Sequence, residues 1–139
     1  MLVLDTDHVS ALGFSSAVSV ELLERIHASG QSAATTIVTV EEQLRGWLSE
    51  IHRLTAPHQQ VMAYGRLQDH IEFFAAWTVL SWNAEAADLF VGFRRAGVRI
   101  GSMDLKIACI VLVHDATLLT RNATDFAQVP ELRVENWLA

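Results

Sequence analysis

The chain opens on four apolar residues, Met1-Leu2-Val3-Leu4, which run directly into the polar turn Asp5-Thr6-Asp7. An unbroken apolar run ended by polar residues predicts a strand buried on both faces, as in a parallel sheet, with Asp5 at its carboxyl end. Residues His8 to Phe14 read as a short helix or turn. Ser15 or Ser16 then caps a helix with Val18, Leu22, Leu23 and Ile26 on one face, stopping at Gly30. A Thr/Val/Ile-rich stretch from Ala33 to Val40 predicts a second strand. Glu41 and Glu42 follow it and open a helix with Leu44, Trp47, Leu48 and Ile51 at helical spacing. Acids in a first helical turn are favoured by the macrodipole.

Pro57 suits a helix start, and His58 to Trp77 carries Val61, Met62, Leu67, Ile71, Phe74 and Ala75 in a moderately amphipathic pattern. Thr78 to Trp82 is a short third strand. Asn83 caps the next helix, with Glu85 in its first turn, an apolar face of Leu89, Phe90 and Phe93, and Gly97 at its end. Ser102 caps a helix reaching about His114, with Asp104 in its first turn. That segment is apolar almost all round, so it belongs at the centre of the fold. Ala116 to Thr120 is a fourth strand, and Leu132 to Val134 or slightly more a fifth. The alternation predicts a three-layer α/β/α sandwich around a mostly parallel sheet of four or five strands, in one domain over residues 1–139.

Composition changes this picture little. Among 139 residues 51% are apolar and mean hydropathy is +0.26, so a core can form without staples, and an additional buried surface against a partner is suggested. The lone cysteine, Cys109, lies in an apolar run and reads as a buried structural thiol. The first residues lack the basic region of a signal peptide, and no apolar stretch approaches the roughly 18 residues of a membrane span. A soluble cytoplasmic protein is expected.

Net charge is −6, which argues against nucleic acid as a partner. The basic residues are nonetheless nearly all Arg, the side chain suited to bidentate phosphate contacts, and Arg94, Arg95 and Arg99 cluster within six positions.

The acids then acquire a pattern. Asp5 ends the first strand, Glu42 starts the helix after the second, Asp104 lies in the first turn of the central helix and Asp125 follows the fourth strand. In a parallel sheet, strand ends and the starts of following helices share one edge. Each acid has a plainer role open to it, since Asp5 or Asp7 can simply cap a helix. Converging carboxylates repel, and the usual remedy is a hard divalent cation. Oxygen-only ligands select Mg²⁺ or Mn²⁺ over zinc. Such an ion activates water and clamps a phosphodiester. No HExxH spacing, Gly-rich phosphate loop or GxSxG elbow competes, and the six histidines read as ordinary surface or core residues.

Five stretches together carry a family resemblance. They are Leu-Asp-Thr-Asp-His at 4–8, Thr-Val-Glu-Glu-Gln-Leu-Arg-Gly at 39–46, Gly-Ser-Met-Asp-Leu-Lys-Ile-Ala at 101–108, Leu-Leu-Thr-Arg-Asn-Ala-Thr-Asp-Phe at 118–126 and Val-Glu-Asn-Trp-Leu at 134–138. In that order they resemble the PIN-domain motifs of VapC-type toxin ribonucleases over essentially the full chain.

The resemblance implies a metal-dependent endoribonuclease acting on RNA, neutralised by a VapB-type antitoxin, with Mg²⁺ or Mn²⁺ as cofactor and a homodimer as the assembly. Asp5 and Asp104 match the principal metal-binding aspartates, and Glu42 the acid of the second motif. Thr120 resembles the hydroxyl residue lining the site. The fourth position stays open between two residues: some members carry Asp where this chain has Asn122, and others place an acid three residues later, where Asp125 stands here. Thr6, Thr120, Arg121, Asn122 and Arg99 are candidates for contacting substrate, with Arg94 and Arg95 more plausibly at work on their own helix end. An antitoxin groove is expected near apolar faces bearing Trp47, Leu48, Ile51, Phe73, Phe74 and Trp77. Two other readings stay open. Asp5-Thr6-Asp7 also resembles the nucleophile motif of haloacid-dehalogenase-type phosphatases, with Asp7 as acid, and Asn122 suits a PIN-like module that only binds.

Overall fold

The computed structural model describes residues 1–13 and 17–138. Its elements in chain order are β1 (Leu2–Leu4), α1 (Thr6–Leu12), α2 (Ala17–Ala28), β2 (Ala33–Thr36), α3 (Ile37–Arg53), α4 (Gln60–Ala75), β3 (Val79–Leu80), α5 (Ala84–Arg95), α6 (Ser102–Val113), β4 (Thr117–Leu119), α7 (Ala123–Phe126) and β5 (Arg133–Glu135). The strands form one five-stranded sheet in the order β3-β2-β1-β4-β5, and every pairing is parallel. The expected α/β architecture is therefore present. Chain order reverses at β1, which has β2 on one side and β4 on the other. The carboxyl edge of β1 is thus the switch point of the sheet, where ligands of open α/β folds bind.

Strand alternation sorts the core into two faces. Val3, Ala34 and Leu118 pack with Leu105, Ile107, Ala108, Ile110 and Val111 of α6 on one side. Leu2, Leu4 and Leu119 pack with Val9 and Phe74 on the other, beside Trp77 and Trp137. The three residues of β1 are completely shielded from solvent, as a strand covered on both faces requires. Helix α6 is the central element the pattern predicted. Cys109 lies within it, and burial pushes its thiol up to about 11, so it is an inert filler.

Several boundaries differ from the sequence reading, each for a local reason. The second strand stops at Thr36, because the Thr36 hydroxyl accepts the Thr39 N–H (3.1 Å) and starts α3 at Ile37. Glu41 and Glu42 consequently lie beyond the first helical turn. Gly101 occupies the cap position of α6, so Ser102 is its first helical residue and instead takes a guanidinium contact from Arg94 (3.3 Å). On α2 the buried positions are Ser19 and Leu22, while Val18 and Leu23 are exposed. The expected caps Ser15 and Ser16 lie outside the described residues. Pro57 sits in a turn ahead of α4, whose first side chain, Gln60, donates to the Ile51 and Leu54 carbonyls at the end of α3 (3.1 and 2.9 Å). Asn83 caps α5 as expected, accepting the Ala86 N–H at 2.9 Å.

Candidate metal centre

Asp5 leaves β1 at the switch point and caps α1, so the plain capping role and the site role coincide. Its Oδ1 accepts the Thr6 N–H (2.7 Å) and its Oδ2 accepts the hydroxyl of the fully buried Thr120 (2.7 Å), which follows β4. The Thr6 hydroxyl in turn donates to Glu42 Oε2 at 2.7 Å. Thus Glu42 reaches the same edge even though α3 begins earlier than expected, and Thr6 and Thr120 act as struts between acids.

Asp104, in the first turn of α6, lies at the same edge, close enough for its charge to act on Asp5 and for that of Glu42 to act on it, and the three acids form an open ring. Asn122 aims its amide nitrogen at the acids, donating to Asp125 Oδ2 (3.0 Å) and more weakly to Asp104 Oδ2 (3.4 Å). Two ionised carboxylates leave no other sensible orientation for that amide. Asn122 therefore presents a donor, and not its carbonyl oxygen, to this edge.

The electrostatics fit a ring of like charges. Burial pushes the Asp5 carboxyl above its ordinary value, and the charges of Asp7 and Asp104 add to this against the lowering by Thr120 and Thr6. Glu42 is raised by burial and by the charges of Asp5 and Glu41. Asp104 is raised by burial and by Glu42 and Asp125. Asp7 is the exception. Burial opposes its ionisation, yet the bonds from His8 and the Arg121 N–H bring it below the usual carboxylate range. A carboxylate held ionised is a poor proton donor, which weighs against the acid role of Asp7 in the phosphatase reading.

Among the described residues no three His, Cys, Asp or Glu side chains close into a ready cage for an ion. The donor set is oxygen-only and open, and three of its acids raise one another's affinity for a positive partner. That suits Mg²⁺, which dehydrates reluctantly and is commonly held by one or two carboxylates plus water. Asp5, Glu42 and Asp104 are the residues that would hold it.

The arginines divide. Arg94 donates to the Val98 carbonyl (2.8 Å) and lies over the Phe90 ring (5.2 Å), so it serves its own helix end. Arg99 and Arg121 are exposed, Arg99 close before α6 and Arg121 between Thr120 and Asn122. A groove of about 440 Å³, lined by Val9, Leu12, Gln43, Trp47, His70 and Phe73 among others, joins a shallower one of about 530 Å³ through Gln43 and Trp47. The second reaches Glu42. Of the expected groove residues, Trp47 and Phe73 line it. Ile51 and Phe74 are buried, Leu48 is exposed away from it, and Trp77 stacks on Phe73 (5.5 Å).

Sequence reasoning missed His8 and left Asp7 out of the preferred site. His8 is completely buried, bonded to Asp7 at 2.6 Å and to the backbone of Trp137 at 3.1 Å. The adjacency of Asp7 and His8 was the only available sign.

A five-stranded parallel sheet of this order, with acids gathered at its switch point, gives the chain a PIN-like fold, the fold of the VapC toxin structures. Over 69 residues it is 38% identical to Ribonuclease VapC2 of Rickettsia felis, a match covering 47% of this chain and 52% of that protein. The chain thus spans about half the length of the curated relative it matches. No family model matches. Among solved structures, VapBC-1 of nontypeable Haemophilus influenzae superposes with a TM-score of 0.74 at 19% identity, covering 99% of this chain and 98% of that one. VapBC2 of Rickettsia felis, bound to a promoter DNA fragment, gives 0.70 at 21% identity and covers 98% of both chains. DNA-bound VapBC of Salmonella typhimurium gives 0.72 at 21% identity, covering 98% and 97%. The motif resemblance to VapC-type proteins is upheld.

Proposed function

We propose that this chain is a Mg²⁺- or Mn²⁺-dependent endoribonuclease acting as the toxin of a type II toxin–antitoxin pair. The observation that carries this reading is the ring of Asp5, Glu42 and Asp104 at the switch point, each carboxyl raised by burial and by a neighbouring carboxylate's charge. A bound divalent ion supplies activation of water and neutralisation of the phosphodiester. The chain's own residues hold the ring open. Thr6 and Thr120 fix Glu42 and Asp5, Asn122 tethers Asp104 to Asp125, and Arg99 and Arg121 stand exposed where an RNA backbone would pass. The groove from Trp47 to Glu42 suits an antitoxin segment ending in a cation, and a homodimer accords with the exposed apolar residues Val61, Met62 and Ile71 of α4.

The test is cleavage of a mixed RNA pool by the purified protein with and without Mg²⁺ or Mn²⁺, beside Asp5→Ala and Asp104→Asn. Metal-dependent cutting lost in both variants is expected. A folded protein that binds neither ion and cuts nothing would favour the binding-only reading, for which the Asn122 bridge between Asp104 and Asp125 is the supporting observation.

A further inference from the structure

The loop 120–122 touches two of the three acids of the ring, Asp5 and Asp104, and Asp125 beside them. The Thr120 hydroxyl holds Asp5 and the Asn122 amide holds Asp104 and Asp125. Between them, the Arg121 N–H donates to Asp7 Oδ2 at 2.9 Å. What fixes Asp7 therefore fixes the loop. The other carboxylate oxygen of Asp7 bonds His8 Nδ1 at 2.6 Å, and the far nitrogen of that ring accepts the Trp137 N–H at 3.1 Å. An amide donor at Nε2 needs a lone pair there, so the ring proton sits on Nδ1, facing Asp7.

The C-terminal segment is anchored by contacts other than the one to His8: strand β5 pairs with β4, and one further bond comes from the loop's own Thr120. The Thr120 N–H donates to the Glu135 carbonyl (3.0 Å), and the Trp137 ring lies under the Arg25 guanidinium (4.4 Å) against the core of Leu2, Leu4, Val9 and Leu119. His8 is thus a rigid donor–acceptor spacer between an anchored tail and a loop that carries the acids.

We infer that His8 is a positioning residue: through Asp7 it fixes the 120–122 loop, and it makes the C-terminal segment at Trp137 part of the site's construction. The metal arm of the test rests on the function proposed above, and the two structural arms do not.

The experiment is NMR on the full isotope-labelled chain without added metal, comparing the natural protein with His8→Phe, Asp7→Ala and the core variant Val111→Ala. In the natural protein the His8 proton is expected on Nδ1, and a proton on Nε2 overturns the inference. In His8→Phe, which keeps the ring but loses both bonds, the Arg121 and Asn122 amides should exchange about tenfold faster, the worth of one net hydrogen bond, while α6 amides keep their protection. Asp7→Ala, which removes both acceptors, carries the same expectation if His8→Phe does not fold. Unchanged loop protection in a folded variant, or equal selective loosening in Val111→Ala, overturns it. Mn²⁺ titration should show about tenfold weaker binding in His8→Phe than in Val111→Ala, matching that loosening. If the natural chain binds no Mn²⁺, the metal reading fails while the exchange and tautomer results still decide the role of His8.

Discussion

Asp5 and Asp7 are separated by one residue and belong to two differently built regions. Asp5 faces the ring of Glu42 and Asp104. Two protein donors reach it, and burial together with neighbouring charge still keeps its carboxyl above the ordinary range. Asp7 faces the loop and the buried imidazole. It too is desolvated, but its donors win and hold it ionised. The difference shows what spacing alone conceals. One acid is left short of positive partners, as a cation site requires, while the other is satisfied within the protein and can only be structural.

The largest expected effect falls on the ring. Asp5→Asn or Asp104→Asn should cut metal-dependent RNA cleavage by at least about a thousandfold, the loss of several kcal/mol of charge stabilisation. Without divalent ions the same variants should melt no lower than the natural protein, and up to a few degrees higher, because a repelling charge is gone. Cleavage assays and thermal melts in EDTA check both halves. A large fall in melting temperature would place Asp5 among the structural acids.

Asp7→Asn should do the opposite to stability. Asp7 accepts two N–H groups on different oxygens and an amide has only one oxygen, so either the His8 ring N–H or the Arg121 N–H then faces an NH2 group, at a cost of about 1–3 kcal/mol where it is the buried ring that loses its partner. Denaturant unfolding of this variant beside Asp104→Asn would show the two signs directly.

The pH dependence follows from the same contrast. For Asp5, Glu42 and Asp104 the folded values are raised, so their contribution is fully present below the ordinary 3.8 and 4.5. It is lost as pH rises through the raised values. For Asp7 the folded value is lowered, so its contribution is present above 3.8 and lost as pH falls through the lowered value. In EDTA the melting temperature should therefore drop by a few degrees on going from the range just above 4 towards neutrality. Saturating Mg²⁺ should flatten that drop. A profile that rises to neutrality and ignores Mg²⁺ would remove the case for a cation-seeking ring.

The parts of this arrangement legible in the sequence are those written in contiguous patterns. The apolar run before Asp5 gave β1, the all-round apolar character gave α6 its central place, and Asn83 gave the start of α5. The early start of α3 was hidden because Thr35 to Val40 is β-branched throughout, and only the Thr36 side-chain bond to the Thr39 backbone decides for helix. Glu42 stands at the expected edge, but not by the expected route, since it lies beyond the first turn of α3. Its position depends on Thr6, 36 residues away. His8 was invisible because its second partner lies 129 residues further on, and no local pattern encodes a backbone N–H from the far end of the chain.

The smallest expected effect sharpens the comparison most, because it tests whether the ring and its loop have separable jobs. Asn122→Asp keeps the side chain's shape and the backbone bond to Thr120 (3.1 Å) but exchanges a bridging donor for a third carboxylate beside Asp104 and Asp125. Without divalent ions the added repulsion should lower the melting temperature by a degree or two, on the order of half a kcal/mol at a half-buried position still open to solvent screening. With Mn²⁺ the added oxygen charge should tighten binding a few-fold. Calorimetric titration and melts in EDTA separate this from the alternative in which Asn122 serves RNA through its amide. In that case Mn²⁺ affinity would stay fixed and RNA affinity would fall instead. Opposite shifts in metal affinity and metal-free stability would mean that Asn122 now does for Asp104, in miniature, what His8 and the Arg121 amide do for Asp7: it supplies a neutral donor where a charge would otherwise stand unpartnered.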